Sequence, residues 1–328
     1  MIRNISKYAS VLLPVQEHGG DGKMLASYLG IDPMTVLDLS ASLNPFAPDV
    51  AVLLSKHLDS VKSYPDATIS TMAVHRLAQV MGVDEERVLL TNGGAEAIAL
   101  VAQELEIGDV QQPEFSLYER HLEKVVPGAP LFRSNPNNPT GRLAPPNASA
   151  YLWDEAFYPL ATGKWTRGDA DKGAVVVGSL TKVFACPGLR IGYLIAPEEE
   201  MVRRLFKKQP QWSVNSLALS ILPELLDQAE LEEWTHAIAT VRAEMTRLLV
   251  SHGLSVQPSD ANYIVVKKVA GLREGLAMQG IMVRDCTSFG MPSWLRIAVP
   301  DWNGLERLAS ALDLMSSQLE DLDGVDPV

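Results

Sequence analysis

The sequence predicts an α/β fold, with a mostly parallel central sheet in a large domain and a smaller α+β C-terminal domain. The length of 328 residues exceeds that of a typical single domain. Short apolar runs alternate with helical patterns, which is typical of a parallel sheet covered by helices. From about Trp212 the pattern changes to long helices followed by separated strands. We therefore expect an N-terminal segment over residues 1–40, a large domain over residues 41–210 and a small domain over residues 211–328.

In the large domain, strands are predicted where short apolar runs stand between turn-forming residues. These runs are Val36–Leu39, Val88–Thr91, Leu131–Ser134, Ala150–Trp153, Ala174–Leu180 and Arg190–Ala196. Helices are predicted where apolar residues recur at helical spacing. These segments are Ile69–Met81, Ala95–Leu105, Leu117–Val125 and Glu198–Lys208. Gly82 stands where the first of these helices should end.

The small domain is predicted from two long helical patterns, three strands and a final amphipathic helix. The helices are Ser216–Gln228, Leu231–His252 and Gly304–Leu319. The strands are Asn262–Lys267, Ile281–Arg284 and Trp294–Val299. We expect the N-terminal segment to pack on this domain and to contribute to its ligand site.

Charge and cysteine content exclude several classes of partner. The net charge is −12, which disfavours nucleic acid and anionic membranes because both require a basic surface. Cys186 and Cys286 are the only cysteines, too few for a disulfide framework, and no metal site is predicted. The N-terminal residues lack a long apolar region with a cleavage site, so we expect a cytoplasmic protein.

Five segments contain residues suited to bind or activate a ligand. They are Thr91–Glu96, Asn135–Gly141, Trp153–Phe157, Ser179–Lys182 and Pro187–Tyr193. The first is a glycine-bearing turn that opens a helix, where backbone N–H groups can bind a phosphate. The third places a carboxylate at the end of a strand, where ligands of parallel sheets bind. Each segment alone is at least as consistent with ordinary turns, helix caps or core positions.

Lys182 follows directly after the apolar run Ala174–Leu180. A lysine at the end of such a strand is partly desolvated, which disfavours the ammonium form and can make the amine nucleophilic. Ser179 and Arg190 stand three residues before and eight residues after Lys182, and both are suited to bind an anion beside it.

The order of these segments resembles the fold-type I enzymes that depend on pyridoxal 5′-phosphate, the aspartate aminotransferase superfamily. The sequences that carry the resemblance are PNNPTG, DEAF and SLTKVFACPGLRIGY. Within this superfamily the chain is similar to the branch that holds histidinol-phosphate aminotransferase and threonine-phosphate decarboxylase of cobalamin biosynthesis. His18-Gly19-Gly20 and the Leu295–Ala298 strand resemble the decarboxylase side.

The resemblance implies a role for each matching residue. Lys182 would hold the cofactor covalently and transfer the proton, and Asp154 would pair with the ring nitrogen. The remaining cofactor-binding residues would be Gly94, Ala95, Phe115, Asn138, Ser179, Thr181, Arg190 and, from a second subunit, Tyr64. The substrate-binding residues would be His18, Gly19, Gly20, Asn44, Arg284 and Arg296. A homodimer with active sites at its interface is therefore implied.

Two reactions are compatible with this resemblance. The first is decarboxylation of a phosphorylated amino acid, most concretely L-threonine O-3-phosphate to (R)-1-aminopropan-2-yl phosphate. The alternative is an aminotransferase that acts on histidinol phosphate or a similar substrate. Phe157 favours the first, because histidinol-phosphate aminotransferases tend to have Tyr at this position and Phe cannot donate a hydrogen bond. A nicotinamide-dependent oxidoreductase is disfavoured, since no G-x-G-x-x-G follows the first strand.

The middle of the chain is shorter than the resemblance implies. Between Thr140 and Asp154 there is no room for a crossover helix, and Pro145-Pro146 would break one. We therefore predict a bare loop over residues 141–150, with a partner subunit or a nearby loop covering the exposed sheet face.

Overall fold

The computed structural model describes residues 18–317. This part of the chain forms two compact units. The terminal unit contains residues 18–45, 139–141 and 237–317, and the sheet unit contains residues 46–138 and 142–236.

Helices and strands alternate through most of the described chain. The strands are β1 (Leu37–Asp38), β2 (Val88–Thr91), β3 (Ile107–Val110), β4 (Lys124–Val125), β5 (Leu131–Ser134), β6 (Leu152–Asp154), β7 (Val175–Ser179), β8 (Gly192–Ile195), β9 (Tyr263–Lys267), β10 (Ile281–Met282), β11 (Arg284–Asp285) and β12 (Trp294–Ala298). The helices are α1 (Gly22–Leu29), α2 (Val50–His57), α3 (Ala67–Met81), α4 (Gly93–Leu105), α5 (Leu117–His121), α6 (Tyr158–Thr162), α7 (Leu180–Val183), α8 (Glu199–Lys208), α9 (Ser216–Asp227), α10 (Leu231–Ser251), α11 (Leu272–Met278) and α12 (Trp302–Ser317).

A seven-stranded sheet forms the centre of the sheet unit, with strand order β2–β8–β7–β6–β5–β3–β4. Strands β3 to β7 pair in parallel, while β8 is antiparallel to both of its neighbours, β2 and β7. It follows that β2, β5, β6 and β7 point the same way and end at one edge of the sheet. The predicted mostly parallel sheet is confirmed, and its carboxyl edge is where a ligand is expected.

Helix α4 packs its apolar face on this sheet. Ala97, Ile98 and Val101 are buried against Phe132 and Val175 in one core cluster. Burying a large aliphatic side chain stabilises a fold by about 1.5–3 kcal/mol, so this face holds α4 firmly on the sheet. The N-terminus of α4 is thereby fixed beside the carboxyl ends of the central strands.

Capping side chains and a glycine mark the ends of α3 and α9, and among these signals the stop at Gly82 is the one predicted from the sequence. The Asp66 carboxylate accepts hydrogen bonds from the backbone N–H groups of Thr68 and Ile69 at the start of α3. Gly82 ends that helix in the left-handed conformation, with φ of 69°. The Asn215 side chain caps α9 by accepting from the N–H of Ala218.

The terminal unit contains an antiparallel sheet of order β11–β12–β9 and a parallel pair, β1 with β10. Leu39 extends this pairing, because its N–H donates to Met282 O and its carbonyl accepts from the N–H of Ala298. Leu25 of α1 packs on Ala277 and Met282. The described residues of the N-terminal segment are therefore built into the same unit as the C-terminal strands.

The compact units divide the chain at other positions than the predicted domain limits. Residues 41–45 lie in the terminal unit and residues 211–236 in the sheet unit. Helix α9 packs on α2 and α3, which belong to the sheet unit. The change of pattern near Trp212 therefore coincides with the start of a further helix of the sheet unit.

One predicted helix is wrong over its second half. The segment Leu117–Val125 is helical only to His121, since Leu122 is extended and the next residues form β4 beside β3. Strand β3 itself, Ile-Gly-Asp-Val, has no prediction because Gly and Asp interrupt its apolar pattern. Helices α1, α2, α6 and α11 are further elements that the sequence pattern does not indicate. The predicted end of the last helix at Leu319 lies outside the described residues.

The predicted bare loop over residues 141–150 is confirmed, because no helix lies within that range. At Trp153 of β6, the side chain of Arg167 from a nearby loop covers the sheet. The Arg167 guanidinium lies 4.5 Å from the ring centre of Trp153, which is 1% exposed, and donates to the Ala148 carbonyl at 2.7 Å.

Among residues 18–317, no helix is both long enough and apolar enough to cross a membrane.

Candidate active site

Asp154 lies buried at the carboxyl end of β6. Its Oδ2 accepts a hydrogen bond from the Tyr118 hydroxyl at 2.8 Å, and its Oδ1 accepts from the Ala156 N–H at 2.9 Å. Burial raises the pKa of Asp154, whereas these hydrogen bonds and the positive charge of Lys182 oppose the rise. A carboxylate desolvated in this way is suited to pair with a further cation.

Lys182 lies in α7, immediately after β7 and half-buried. Its Nζ lies 5.9 Å from the ring centre of Phe157, which is itself buried. Because β6 and β7 are parallel neighbours, their ends bring Lys182 and Asp154 to the same edge of the sheet. The position of Lys182 after an apolar strand is as predicted.

The first turn of α4 lies at this same edge. Its N-cap residue, Asn92, makes no side-chain capping bond, so the N–H groups of Gly94 and Ala95 in the first turn receive no cap from that side chain. Gly93 has φ of 75°, and a Cβ there would lie 2.6 Å from Arg190 Nη2. The Arg190 guanidinium therefore lies directly against the helix N-terminus, where both favour an anion.

Two hydroxyl groups complete this anion site. Ser179 Oγ and Thr181 Oγ1 lie 2.7 Å apart at the end of β7. A Cβ added to Gly94 would lie 3.5 Å from Ser179 Cβ, which places the hydroxyl pair beside the first turn of α4. Gly192 allows the close approach of β8, because a Cβ there would lie 2.5 Å from the backbone nitrogen of Gly94.

Asn138 and Phe115 flank the carboxylate side of this edge. Asn138 is buried, and its backbone N–H donates to Ser134 Oγ at 2.7 Å. Phe115 packs edge-on against Tyr118, with ring centres 5.9 Å apart. Tyr118 thus contacts both Phe115 and Asp154.

The sheet unit therefore gathers nearly all the residues predicted to bind the cofactor. Sequence reasoning missed Tyr118, whose hydroxyl orients Asp154, and Glu114, which accepts hydrogen bonds from Ser134. Tyr118 could have been found from its spacing, since it stands three residues after Phe115 at the start of a predicted helix. Glu114 carries no comparable signal, because a glutamate in a loop is usually solvated.

Tyr64 differs from most of the residues predicted to bind the cofactor because its side chain is exposed. Its side chain is 76% exposed and packs on Trp212, with ring centres 4.6 Å apart. Its predicted role requires a second subunit and stays a prediction.

In the terminal unit, Arg284 and Arg296 are cross-strand partners on β11 and β12. Arg296 is buried, lies 4.9 Å from the ring centre of Tyr263, and donates to the Ser40 carbonyl at 3.1 Å. Burial lowers the pKa of Arg284 to about 10, and the charge of Arg296 adds to this effect. Two adjacent desolvated guanidinium groups favour an anion, which would relieve their repulsion.

The glycine pair of the N-terminal segment lies beside Arg296. The Gly20 N–H donates to Ser40 Oγ at 2.8 Å, and a Cβ on Gly19 would lie 2.2 Å from the Ser40 carbonyl oxygen. Only glycine fits this approach. The predicted residues Gly19, Gly20 and Arg296 therefore meet at Ser40, with the exposed His18 next to them.

Asn44 is buried in the same unit. The chain just before it is held by Asn262, whose Nδ2 donates to the Ser42 carbonyl at 2.9 Å. Asn262 is a third residue that sequence reasoning missed, since it stands at the start of a predicted strand and gives no sign of a polar contact.

Comparison with known proteins identifies the family. The sequence pattern described as Aminotransferase class I and II matches residues 109–312, which is more than half of the chain. The chain belongs to this family. Threonine-phosphate decarboxylase of Salmonella typhimurium is 31% identical over 90% of this chain and 95% of its own length. Histidinol-phosphate aminotransferase 2 of Ralstonia nicotianae is 26% identical over 88% and 92%.

A solved structure supports the fold. Histidinol-phosphate aminotransferase of Sinorhizobium meliloti, crystallised in complex with pyridoxal 5′-phosphate, superposes with a TM-score of 0.78 at 18% identity. The match covers 95% of this chain and 97% of that one. The protein described here, as a member of the class I and II aminotransferase family, is an enzyme that depends on pyridoxal 5′-phosphate.

The residues of the sheet unit fit this cofactor. The first turn of α4 with Arg190 offers a site for a dianionic phosphate, and the buried Asp154 offers a counter-charge for a protonated ring nitrogen. Lys182, half-buried at the same edge of the sheet, provides an amine that can bond an aldehyde carbon.

Proposed function

We propose that this enzyme decarboxylates a phosphorylated amino acid, L-threonine O-3-phosphate, to (R)-1-aminopropan-2-yl phosphate. Its similarity to the Salmonella enzyme supports this, at 31% identity over nearly the whole of both chains. The fold does not distinguish this reaction from transamination, because relatives named as decarboxylases and relatives named as aminotransferases have the same fold.

The observation that carries the proposal is the side chain beside Lys182. Phe157 contacts the lysine with an apolar ring and has no hydroxyl to donate. A tyrosine there would place a hydrogen-bond donor next to the amine and the cofactor ring. Phe at position 157 instead of Tyr is consistent with the resemblance to threonine-phosphate decarboxylase.

The terminal unit would supply the groups that bind the substrate. Arg296 is proposed to bind the α-carboxylate through paired N–H groups, and Arg284 to bind the phosphate. Both guanidinium groups are buried and adjacent, so a substrate with two anionic groups neutralises both charges. A substrate with a single anionic group would leave one of them uncompensated.

The chemistry itself depends on which bond at the substrate's α-carbon is aligned for cleavage. When bound, pyridoxal 5′-phosphate would supply an electron sink for that bond. Asp154, as the carboxylate, would hold a proton on the ring nitrogen. Lys182 Nζ would deliver a proton to the α-carbon that carbon dioxide has left.

Transamination of histidinol phosphate is the second candidate function, supported by relatives such as the Ralstonia enzyme. It would use the same lysine to move a proton between two carbon atoms. The two candidates therefore differ in the bond that breaks, and one pair of assays separates them.

The test is to incubate the purified enzyme with L-threonine O-3-phosphate, and separately with histidinol phosphate plus 2-oxoglutarate. We expect carbon dioxide and an amino alcohol phosphate in the first reaction and no glutamate in the second. Glutamate formation without release of carbon dioxide would overturn the proposal in favour of transamination. Lys182→Ala, which removes the amine, should abolish the release of carbon dioxide and the visible absorbance of the bound cofactor.

A further inference from the structure

Glu114 is a buried carboxyl group that the proposed reaction does not use directly. It is 2% exposed, in the loop between β3 and α5. Both carboxyl oxygens lie within hydrogen-bond distance of the Ser134 N–H, at 3.2 and 3.1 Å, and Oε2 also accepts from the Ser134 hydroxyl. Burial raises the pKa of Glu114 to about 8. A group so costly to bury is retained only where its partners compensate.

Ser134 connects Glu114 to the site. Its hydroxyl donates to Glu114 and accepts from the backbone N–H of Asn138 at 2.7 Å. A hydroxyl has one proton, so its donation to the carboxyl group fixes which lone pair faces Asn138. The backbone position of Asn138 therefore depends on an acceptor at residue 114.

A second buried hydroxyl orients Asp154. Tyr118 is fully buried, and burial raises its pKa, with the charges of Asp154 and Glu114 adding to the rise. Its hydroxyl proton is donated to Asp154 at 2.8 Å, whereas the hydroxyl proton of Ser134 is donated to Glu114, so these two hydrogen bonds are separate.

We propose that Glu114 is a positioning residue that acts through Ser134 to fix the backbone of Asn138. This inference rests on the proposed role of Asn138 in binding the cofactor ring. The hydrogen bonds described above join the Glu114 carboxyl group to Ser134, so its effect on the ring is indirect. Networks of this kind rigidify a site when every member is satisfied.

The test compares two variants of similar volume. Glu114→Gln keeps an acceptor for Ser134, whereas Glu114→Met removes it. Titration of the cofactor-free protein with pyridoxal 5′-phosphate gives a dissociation constant and an absorption spectrum. We expect about a tenfold weaker affinity in Glu114→Met, with a shifted visible maximum, and an affinity within about twofold of the original in Glu114→Gln.

Asp169→Asn is the matched control, because Asp169 is an equally buried carboxylate of the sheet unit that pairs with Arg167 instead. It should lower the unfolding midpoint and leave affinity and spectrum unchanged. An equal loss of affinity in Asp169→Asn and Glu114→Met would overturn the inference, since the effect would then be general destabilisation.

Two further variants separate this inference from the function on which it rests. Asn138→Ala and Asp154→Asn should each weaken cofactor binding. If they do and Glu114→Met does not, the positioning role is wrong and the proposed roles of Asn138 and Asp154 stand. If neither Asn138→Ala nor Asp154→Asn weakens binding, the proposed roles of these residues fail and the inference about Glu114 fails with them.

Discussion

Three carboxyl groups of the sheet unit are buried at or near one edge of the sheet: Asp154, Glu155 and Glu114. Burial raises the pKa of each, to about 7 for Glu155 and about 8 for Glu114. Asp154 alone among them receives the opposing charge of Lys182. Its position at a strand end made Asp154 predictable from the sequence, whereas Glu114 depends on a contact with a residue 20 positions away.

The raised pKa of Glu114 makes a prediction about stability. At pH values between its ordinary pKa of 4.5 and its pKa of about 8 in the folded protein, the carboxyl group takes up a proton on folding. Its contribution to the free energy of unfolding is fully present below pH 4.5 and is lost as the pH rises toward 8. Glu114→Gln cannot titrate, so we expect it to reduce this decline by up to about 1.4 kcal/mol per pH unit. Urea unfolding at several pH values measures the slope, and parallel curves for both proteins would refute the prediction.

Arg296 gives a prediction about substrate binding. Arg296→Lys keeps the charge but loses the paired donors that match a carboxylate. We expect KM for L-threonine O-3-phosphate to rise about 10- to 100-fold with an unchanged cofactor spectrum. Arg242→Lys serves as control, because Arg242 is a partly buried arginine of the same unit that donates to the carbonyls of Asp260 and Ala261. An unchanged KM in Arg296→Lys would exclude Arg296 as the carboxylate ligand.

At the scale of elements, the loop over residues 141–150 is the main departure from the resemblance. Parallel strands β5 and β6 are joined without a helix, and the side chain of Arg167 covers Trp153 in its place. Arg167 also pairs with Asp169, and its backbone N–H donates to Glu155 at 3.2 Å. Arg167 therefore contacts the 141–150 loop, the buried carboxylates Glu155 and Asp169, and the buried ring of Trp153.

Arg167→Met tests this structural role. Removing the guanidinium leaves Asp169 without its nearest buried partner and uncovers the Trp153 ring. We expect the free energy of unfolding to fall by about 3 kcal/mol, while the spectrum of the bound cofactor stays the same. Arg133→Met is the control, since Arg133 lies 5.6 Å from the same ring and should cost under about 1 kcal/mol. Equal losses in both variants would contradict a special role for Arg167.

The elements that the sequence predicts well are those with strong local signals. Helix α3 is predicted to its last residue because Gly82 ends it, and β2 is predicted at both ends. Strands β3 and β4 could not be predicted, because the pairing between them supplies the stability that their own residues lack. Contacts between distant segments, such as Gly19 with Ser40, are likewise set by the tertiary fold and leave no periodic pattern.

At the scale of the whole molecule, residues predicted to bind cofactor or substrate occur in each of the two compact units. The sheet unit contains those predicted to bind the cofactor, and the terminal unit contains the arginine pair and the glycine pair. Both sets could be proposed from the sequence because each motif is local. The cross-strand pairing of Arg284 with Arg296 required the structure, since it depends on the register of β11 and β12.

The exposed Tyr64 leads to a prediction about the oligomeric state. We propose a homodimer in which the exposed Tyr64 of one protomer binds the cofactor phosphate of its partner. Sedimentation should give a dimer, and Tyr64→Phe should weaken cofactor binding about threefold to tenfold without changing the mass. Trp212→Phe, which changes the ring that Tyr64 packs on, is a useful comparison. A monomer with unimpaired cofactor affinity would refute the proposal.

The most direct test of the proposed reaction is proton NMR of L-threonine O-3-phosphate turned over in deuterium oxide. We expect each product molecule to carry one deuterium at the carbon that lost the carboxylate, with an equal amount of carbon dioxide released. Recovered substrate should keep its α-proton, since Lys182 delivers a solvent-derived proton only after the carboxylate leaves. Deuterium at the α-carbon of recovered substrate, without carbon dioxide, would contradict decarboxylation and indicate the proton transfer of an aminotransferase.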